Sequence, residues 1–110
     1  MGSFAKGEIV LFPFPYTDLT NRKLRPCLVL SNEMNQDILL CQITSQNNKE
    51  DNFCVALLKK DTKNGSLQIN SFIKCNMLFT ADKKQIARKI CKINKNKYLQ
   101  VFNKIREIIR

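Results

Sequence analysis

Two residues of this chain, Arg25 and Thr44, have types and positions that suggest chemistry. Arg25 stands in Leu24-Arg25-Pro26-Cys27-Leu28-Val29-Leu30-Ser31, directly before an apolar run. A permanent charge is thus held at the mouth of an expected buried strand, where desolvating it is costly. Thr44, followed by Ser45, closes a second apolar segment, Asp37 to Thr44. A turn around Asn32 to Gln36 joins the two segments, so they are expected to pair antiparallel, the start of one beside the end of the other. A guanidinium presents five donors in a planar fork that matches phosphate oxygens. The hydroxyls of Thr44 and Ser45 can donate to the same oxygens. Spacing alone leaves open the plainer alternative, in which Arg25 pairs with Asp18 on the surface and Thr44 is an ordinary strand residue.

The composition limits what other chemistry is available. There is no histidine, hence neither the usual general base near neutral pH nor the commonest metal ligand. Cys27, Cys41, Cys54, Cys75 and Cys91 are odd in number, widely separated and set mostly among apolar residues. None has the Cys-x-x-Cys spacing of a zinc or redox site. They read as small buried hydrophobes in a reducing compartment, and no metal or cofactor is expected. Catalysis must come from Arg, Lys, hydroxyls or carboxylates.

Positioning these groups falls to short elements. Glu8–Phe12 reads as a first strand, stopped by the alternation Pro13-Phe14-Pro15. Pro26–Ser31 and Asp37–Thr44 are the second and third, and Phe53–Leu58 the fourth. A turn at Asn64-Gly65 precedes a fifth within Leu67–Leu78, clearest over Ser71–Cys75. A helical turn over Asp82–Ile86 leads to a basic strand, Arg88–Ile93. Tyr98, Val101, Phe102, Ile105, Ile108 and Ile109 then form one apolar stripe of a terminal helix, with Asn94 or Asn96 as its cap. Short strands at close spacing with one terminal helix predict a mainly β chain, a small, strongly curved barrel. All of residues 1–110 form one domain, without internal repeat or linker.

No apolar run approaches the ~20 residues that span a bilayer, and the start carries no long apolar stretch, so a cytoplasmic location is expected. The net charge of +10 is uneven. Residues 1–55 hold five Lys or Arg against six Asp or Glu, and residues 56–110 fourteen against three. That surplus suits a polyanionic partner, nucleic acid or an acidic protein. It equally suits the Lys, Asn and Ile bias of an AT-rich genome. The cluster Lys83, Lys84, Arg88, Lys89 and Lys92 carries the same ambiguity.

An ordered set of motifs resembles the MazF/PemK-like toxins. It runs Gly7-Glu8-Ile9-Val10-Leu11, Phe14-Pro15, Arg25-Pro26 with Leu28 to Ser31, Ile43-Thr44-Ser45, Ser71 to Cys75, Leu78-Phe79-Thr80 and Arg88-Lys89-Ile90, and ends on the amphipathic helix. The first loop, Phe14-Pro15-Tyr16-Thr17-Asp18, is similar to that of the PemK-like branch. Glu8 stands where relatives carry Asp, Cys27 where Ala or Val is commoner, and Cys91 where glycine is frequent.

The resemblance implies an SH3-like barrel acting as a homodimer. It implies a metal-independent endoribonuclease that cuts single-stranded RNA at short sequences, paired with a small acidic antitoxin. It places the two central catalytic residues on Arg25 and Thr44, the pair the strand ends had already singled out. Around them Ser45, Asp18, Phe14, Ser31, Lys23 and Ser71 are expected to touch RNA. Cleavage by the substrate's own 2′-OH needs donors where charge develops on the phosphoryl oxygens, and Arg25 and Thr44 suit that role. For the proton acceptor, Asp18 and Glu8 are the candidates; an Arg stays protonated in proteins. Two other readings stay open: the same barrel as a non-catalytic binder, including a gyrase-type poison, or a relic that retains only antitoxin binding.

Overall fold

The computed structural model describes residues 3–15, 22–46 and 51–110. Asp18 and Tyr16 lie outside the described residues. The strands are β1 (Glu8–Pro15), β2 (Arg22–Val29), β3 (Asp37–Thr44), β4 (Cys54–Leu57), β5 (Thr62–Lys63), β6 (Ser71–Asp82) and β7 (Arg88–Ile93), followed by the helix α1 (Lys95–Ile109). One antiparallel sheet takes them in the order β4-β6-β3-β2-β1-β7-β5. It curls as a half-barrel. β6 contributes to the curl, because its register against β3 shifts between Cys41 and Ile43, an irregularity that bends the strand.

Alternation along the central strands explains two apolar layers. Ile9, Leu28, Cys41, Ile43, Ile73 and Ile93 point to one face and pack with Val101 of α1. Val10, Cys27, Val29, Ile38 and Leu40 point to the other, where Ala81 and Ile86 cover them. Neighbours on a strand face opposite sides, so a strand buried on both reads as a near-continuous apolar run. Phe12, Phe14 and Phe79 meet edge to face beside the second layer, at 5.3 to 5.5 Å between ring centres.

The expected mainly β architecture with a terminal helix is what forms, and β3 and β7 have the expected bounds. Several details differ. β2 begins at Arg22 instead of Pro26 and ends at Val29, and the strand expected within Leu67–Leu78 runs from Ser71 to Asp82. Pro13 and Pro15 do not end β1; both pair with β2. Leu11 accepts from the Ala87 amide through its carbonyl at 2.9 Å, so residues of its parity turn their backbone toward β7. β7 has ended there, opposite Leu11, and prolines sit on an edge that offers no acceptor. The two-residue β5 has no apolar pattern to announce it. Finally, the helix stripe is narrower than expected. Val101 is buried and Tyr98 and Ile105 half-buried, whereas Phe102 and Ile109 are 50% and 73% exposed. Asn94 caps this helix, its side-chain oxygen accepting from the Lys97 amide at 2.7 Å, and Tyr98 donates its hydroxyl to the Leu30 carbonyl at 3.0 Å.

All five cysteines are free, four of them buried. Burial pushes the thiols of Cys27 and Cys75 up to about 12 and that of Cys54 to about 11. It raises Cys41 and Cys91 as well. Only the thiolate is nucleophilic. Iodoacetamide near pH 8 is therefore expected to spare the native protein, with Cys54 the first to react, and to label all five after unfolding. Intact-mass spectrometry reads the count, and prompt native labelling of Cys27 or Cys41 would contradict this packing.

Candidate active site

The β2–β3 ladder pairs Val29 with Leu40, Leu28 with Cys41 and Cys27 with Gln42, and then stops. Continuing that register by two residues sets Arg25 directly opposite Thr44. Matching positions on antiparallel strands share a face, so the guanidinium and the hydroxyl stand on the same side where the strands part. Both line a cleft of about 390 Å³ at this end of the half-barrel. β2 is held in place there by β1, with Phe12 opposite Arg25 and Pro13 opposite Leu24. The charge thus sits on a paired strand although its side chain is exposed.

The hydroxyl of Thr44 is oriented. Its Oγ1 accepts from the Gln46 amide at 3.1 Å, which occupies a lone pair and leaves the hydroxyl proton available for an acceptor in the cleft. Ser45 and Lys23 line the same cleft and are exposed. Ser71 lies beneath it, 5% exposed. Its hydroxyl donates to the Ile69 carbonyl at 2.9 Å, so its one proton secures the loop before β6 instead of facing a ligand. Arg25, Thr44, Ser45, Lys23 and Ser71 are therefore brought together.

Two other residues expected at RNA stand elsewhere. Phe14 belongs to the aromatic cluster beside the second apolar layer. Ser31 is at the opposite end of the β2–β3 hairpin, its Oγ accepting from the Leu39 amide at 3.0 Å. Neither lines the cleft. Glu8, one of the two carboxylates considered as proton acceptor, is also remote. It accepts from the Ala5 amide at 2.8 Å and pairs with Lys89 at 3.2 Å. No carboxylate is among the described residues of the cleft lining. Sequence reasoning passed over Leu24, Gln46, Gln68 and Ile69, which also line it. An exposed apolar residue at the end of a run reads as the edge of a core, and a loop glutamine carries no pattern.

Lys83, Lys84, Arg88 and Lys89 of the basic cluster line a different, larger cavity of about 780 Å³ together with Phe4, Ile86 and Ala87, and Lys92 stands outside it. Part of its charge is internally matched. Lys83 pairs with Glu33 at 2.6 Å and Lys89 with Glu8, while Lys89 also lies 5.6 Å over the Phe4 ring. The Lys83 ammonium, then the Phe4 amide, hold the Glu33 carboxyl below its usual range. Lysines of the second half of the chain thus clamp the carboxylates of the first, which accounts for part of the uneven charge.

The family model for PemK-like, MazF-like toxins of type II toxin–antitoxin systems matches residues 5–109. A search of curated proteins finds no match. Among solved structures, a MazE–MazF complex from Deinococcus radiodurans superposes with a TM-score of 0.80 at 17% identity, covering 98% of this chain and 97% of that one. An endoribonuclease in complex with its cognate antitoxin, from a mycobacterial species, gives 0.75 at 12% identity, covering 99% and 95%. At such identity these likenesses establish the fold; the family is established by the sequence match across nearly the whole chain. The chain belongs to the PemK-like, MazF-like toxins of type II toxin–antitoxin systems.

Proposed function

We propose that this toxin is an endoribonuclease that cleaves single-stranded RNA at the Arg25–Thr44 cleft without a metal ion. The observation that carries the reading is the cross-strand placement of the two side chains on one face of a shared cleft. Relatives of this fold include proteins described as endoribonucleases.

In the proposed reaction the 2′-OH preceding the scissile bond attacks the adjacent phosphorus, in line with the departing 5′-oxygen. The new bond closes a 2′,3′-cyclic phosphate; the broken one releases a 5′-hydroxyl. The proton lost by the 2′-OH goes to solvent and the leaving oxygen takes one from solvent, so atoms balance and no oxidant is required. Because the substrate carries its own nucleophile, no metal-activated water enters. The dianionic phosphorane-like state gains charge on its non-bridging oxygens. Arg25 meets that charge with paired N–H donors and Thr44 with its oriented O–H. Donors fixed in advance where charge develops act without reorganisation cost. Cleavage that halts translation and growth, restraint by a small acidic antitoxin, action as a homodimer and a cytoplasmic setting complete the proposal. Complexes of similar fold with an antitoxin support the second of these.

The test is an incubation of the purified protein with a mixed RNA pool in excess EDTA, followed by end mapping. Cyclic-phosphate and 5′-hydroxyl ends at a recurrent short sequence are expected. Intact RNA after treatment with correctly folded protein would instead favour a non-catalytic binding module.

A further inference from the structure

Along β2, Leu24 and Arg25 point to opposite sides of the strand. Leu24 falls on the side of Pro26 and Leu28, toward the layer that packs against α1. The cleft opens where β2 leaves β3, and it takes lining from both sides: Arg25 and Thr44 from one, Leu24, Ile43 and Leu67 from the other. Two large apolar side chains in it are left in water, Leu24 at 47% and Ile69 at 64% exposure. Both are held on fixed backbone. Leu24 is paired to Pro13. Ile69 is tied through its carbonyl to Ser71, and its loop begins at Gly65, which backs onto the Ile90 carbonyl of β7. Two aliphatic side chains presented at the rim of a cationic cleft can cover a flat apolar ligand.

We infer that Leu24 and Ile69 form a nucleobase subsite beside the scissile phosphate, with Gln68 reading the edge of the seated base. The inference rests on the nuclease reading for its ligand. A nucleotide straddling the parted strand ends places its phosphate on Arg25 and Thr44. Its base folds over the strand edge onto Leu24 and Ile69. Proteins that act on unstacked nucleotides hold the base between apolar side chains and hydrogen-bond its edge, and a glutamine amide offers both a donor and an acceptor for that edge. This subsite makes the apolar pair responsible for affinity at one nucleotide and Gln68 for its identity.

The experiment uses fluorescein-labelled RNA hexamers with a 2′-deoxy residue at the central nucleotide, which blocks cleavage. Each position in turn is made abasic, and binding is read by anisotropy. For the wild-type protein, removing one base next to the central phosphate is expected to weaken binding about tenfold, the effect of the apolar area it buries. In Leu24→Ala/Ile69→Ala the same removal is expected to cost less than about twofold, with the penalties at other positions kept. Both residues are exposed, and a thermal melt confirms that the double variant folds. Gln68→Ala is expected to level the ranking of the four bases at that position. A tenfold penalty that survives in the double variant, or no penalty in the wild type, overturns the subsite. All-ribose hexamers separate the two ideas. Hexamers bound with the expected penalty but left uncut sink the nuclease and keep the subsite, and cleavage with an unchanged penalty does the reverse.

Discussion

Arg25→Ala is expected to slow RNA cleavage by about 100- to 1000-fold, the usual loss when one fixed donor to a developing oxyanion is removed. The side chain is exposed, and truncations of exposed side chains commonly stay within about 0.5 kcal/mol of wild-type stability. The loss will therefore appear in the rate and not in the melting curve. Arg25→Lys restores the charge without the paired fork, so its rate is expected to lie between the two. Thr44→Ala is expected to cause a comparable loss, whereas Thr44→Ser keeps the hydroxyl that accepts from Gln46 and should retain most activity. Because both groups would serve one transition state, the double alanine variant should be little slower than Arg25→Ala alone. Single-turnover cleavage of a mapped RNA site measures every variant, and an Arg25→Ala protein within about threefold of wild type would remove the cation from the mechanism.

The second large effect is on stability. Gly65 has a φ of +124°, and a Cβ placed there would lie 2.3 Å from the Ile90 carbonyl oxygen. Neither side can yield: the obstacle is strand backbone, and the conformation is one that residues with a Cβ rarely adopt. Gly65→Ala is expected to cost about 2–4 kcal/mol, strain and overpacking together. That corresponds to a fall in melting temperature on the order of 10 °C for a domain this small. Asn64, at a φ of +57°, is a useful contrast, since Asn64→Gly relieves the same left-handed turn without a clash and is expected to be nearly neutral. Thermal unfolding followed by circular dichroism compares the two. A Gly65→Ala variant as stable as wild type would mean that the loop does not rest on β7.

How far the sequence disclosed this arrangement depends on how local each signal is. β3 is bounded by turn residues and carried by a near-continuous apolar run, which made it legible to the residue, and β7 was legible as a basic strand near Arg88 to Ile93. That Arg25 and Thr44 lie at the same end of a hairpin followed from a single antiparallel turn, whereas their shared face required the register, which a one-residue slip would have reversed. The continuation of β1 through Pro13 and Pro15 was not legible. Whether a proline is tolerated depends on which neighbour is missing, and that is a property of β7. Ser31 and Phe14 sit in motifs that run on from Arg25 or lead up to it, yet adjacency in sequence says nothing about which end of a hairpin a side chain occupies. Leu24 and Ile69 escaped notice for the opposite reason. Their role rests on an exposure that no linear pattern reveals.

The sheet's outermost strands, β4 and β5, are four and two residues long, and β1 carries its two prolines where β7 no longer shields it. These three borders are thus too brief or too poor in amide donors to template another chain. For a half-barrel whose layers are rich in Ile, Leu and Val, this disfavours fibre growth from those borders. Copies of the chain therefore gain little by adding strands at those three places.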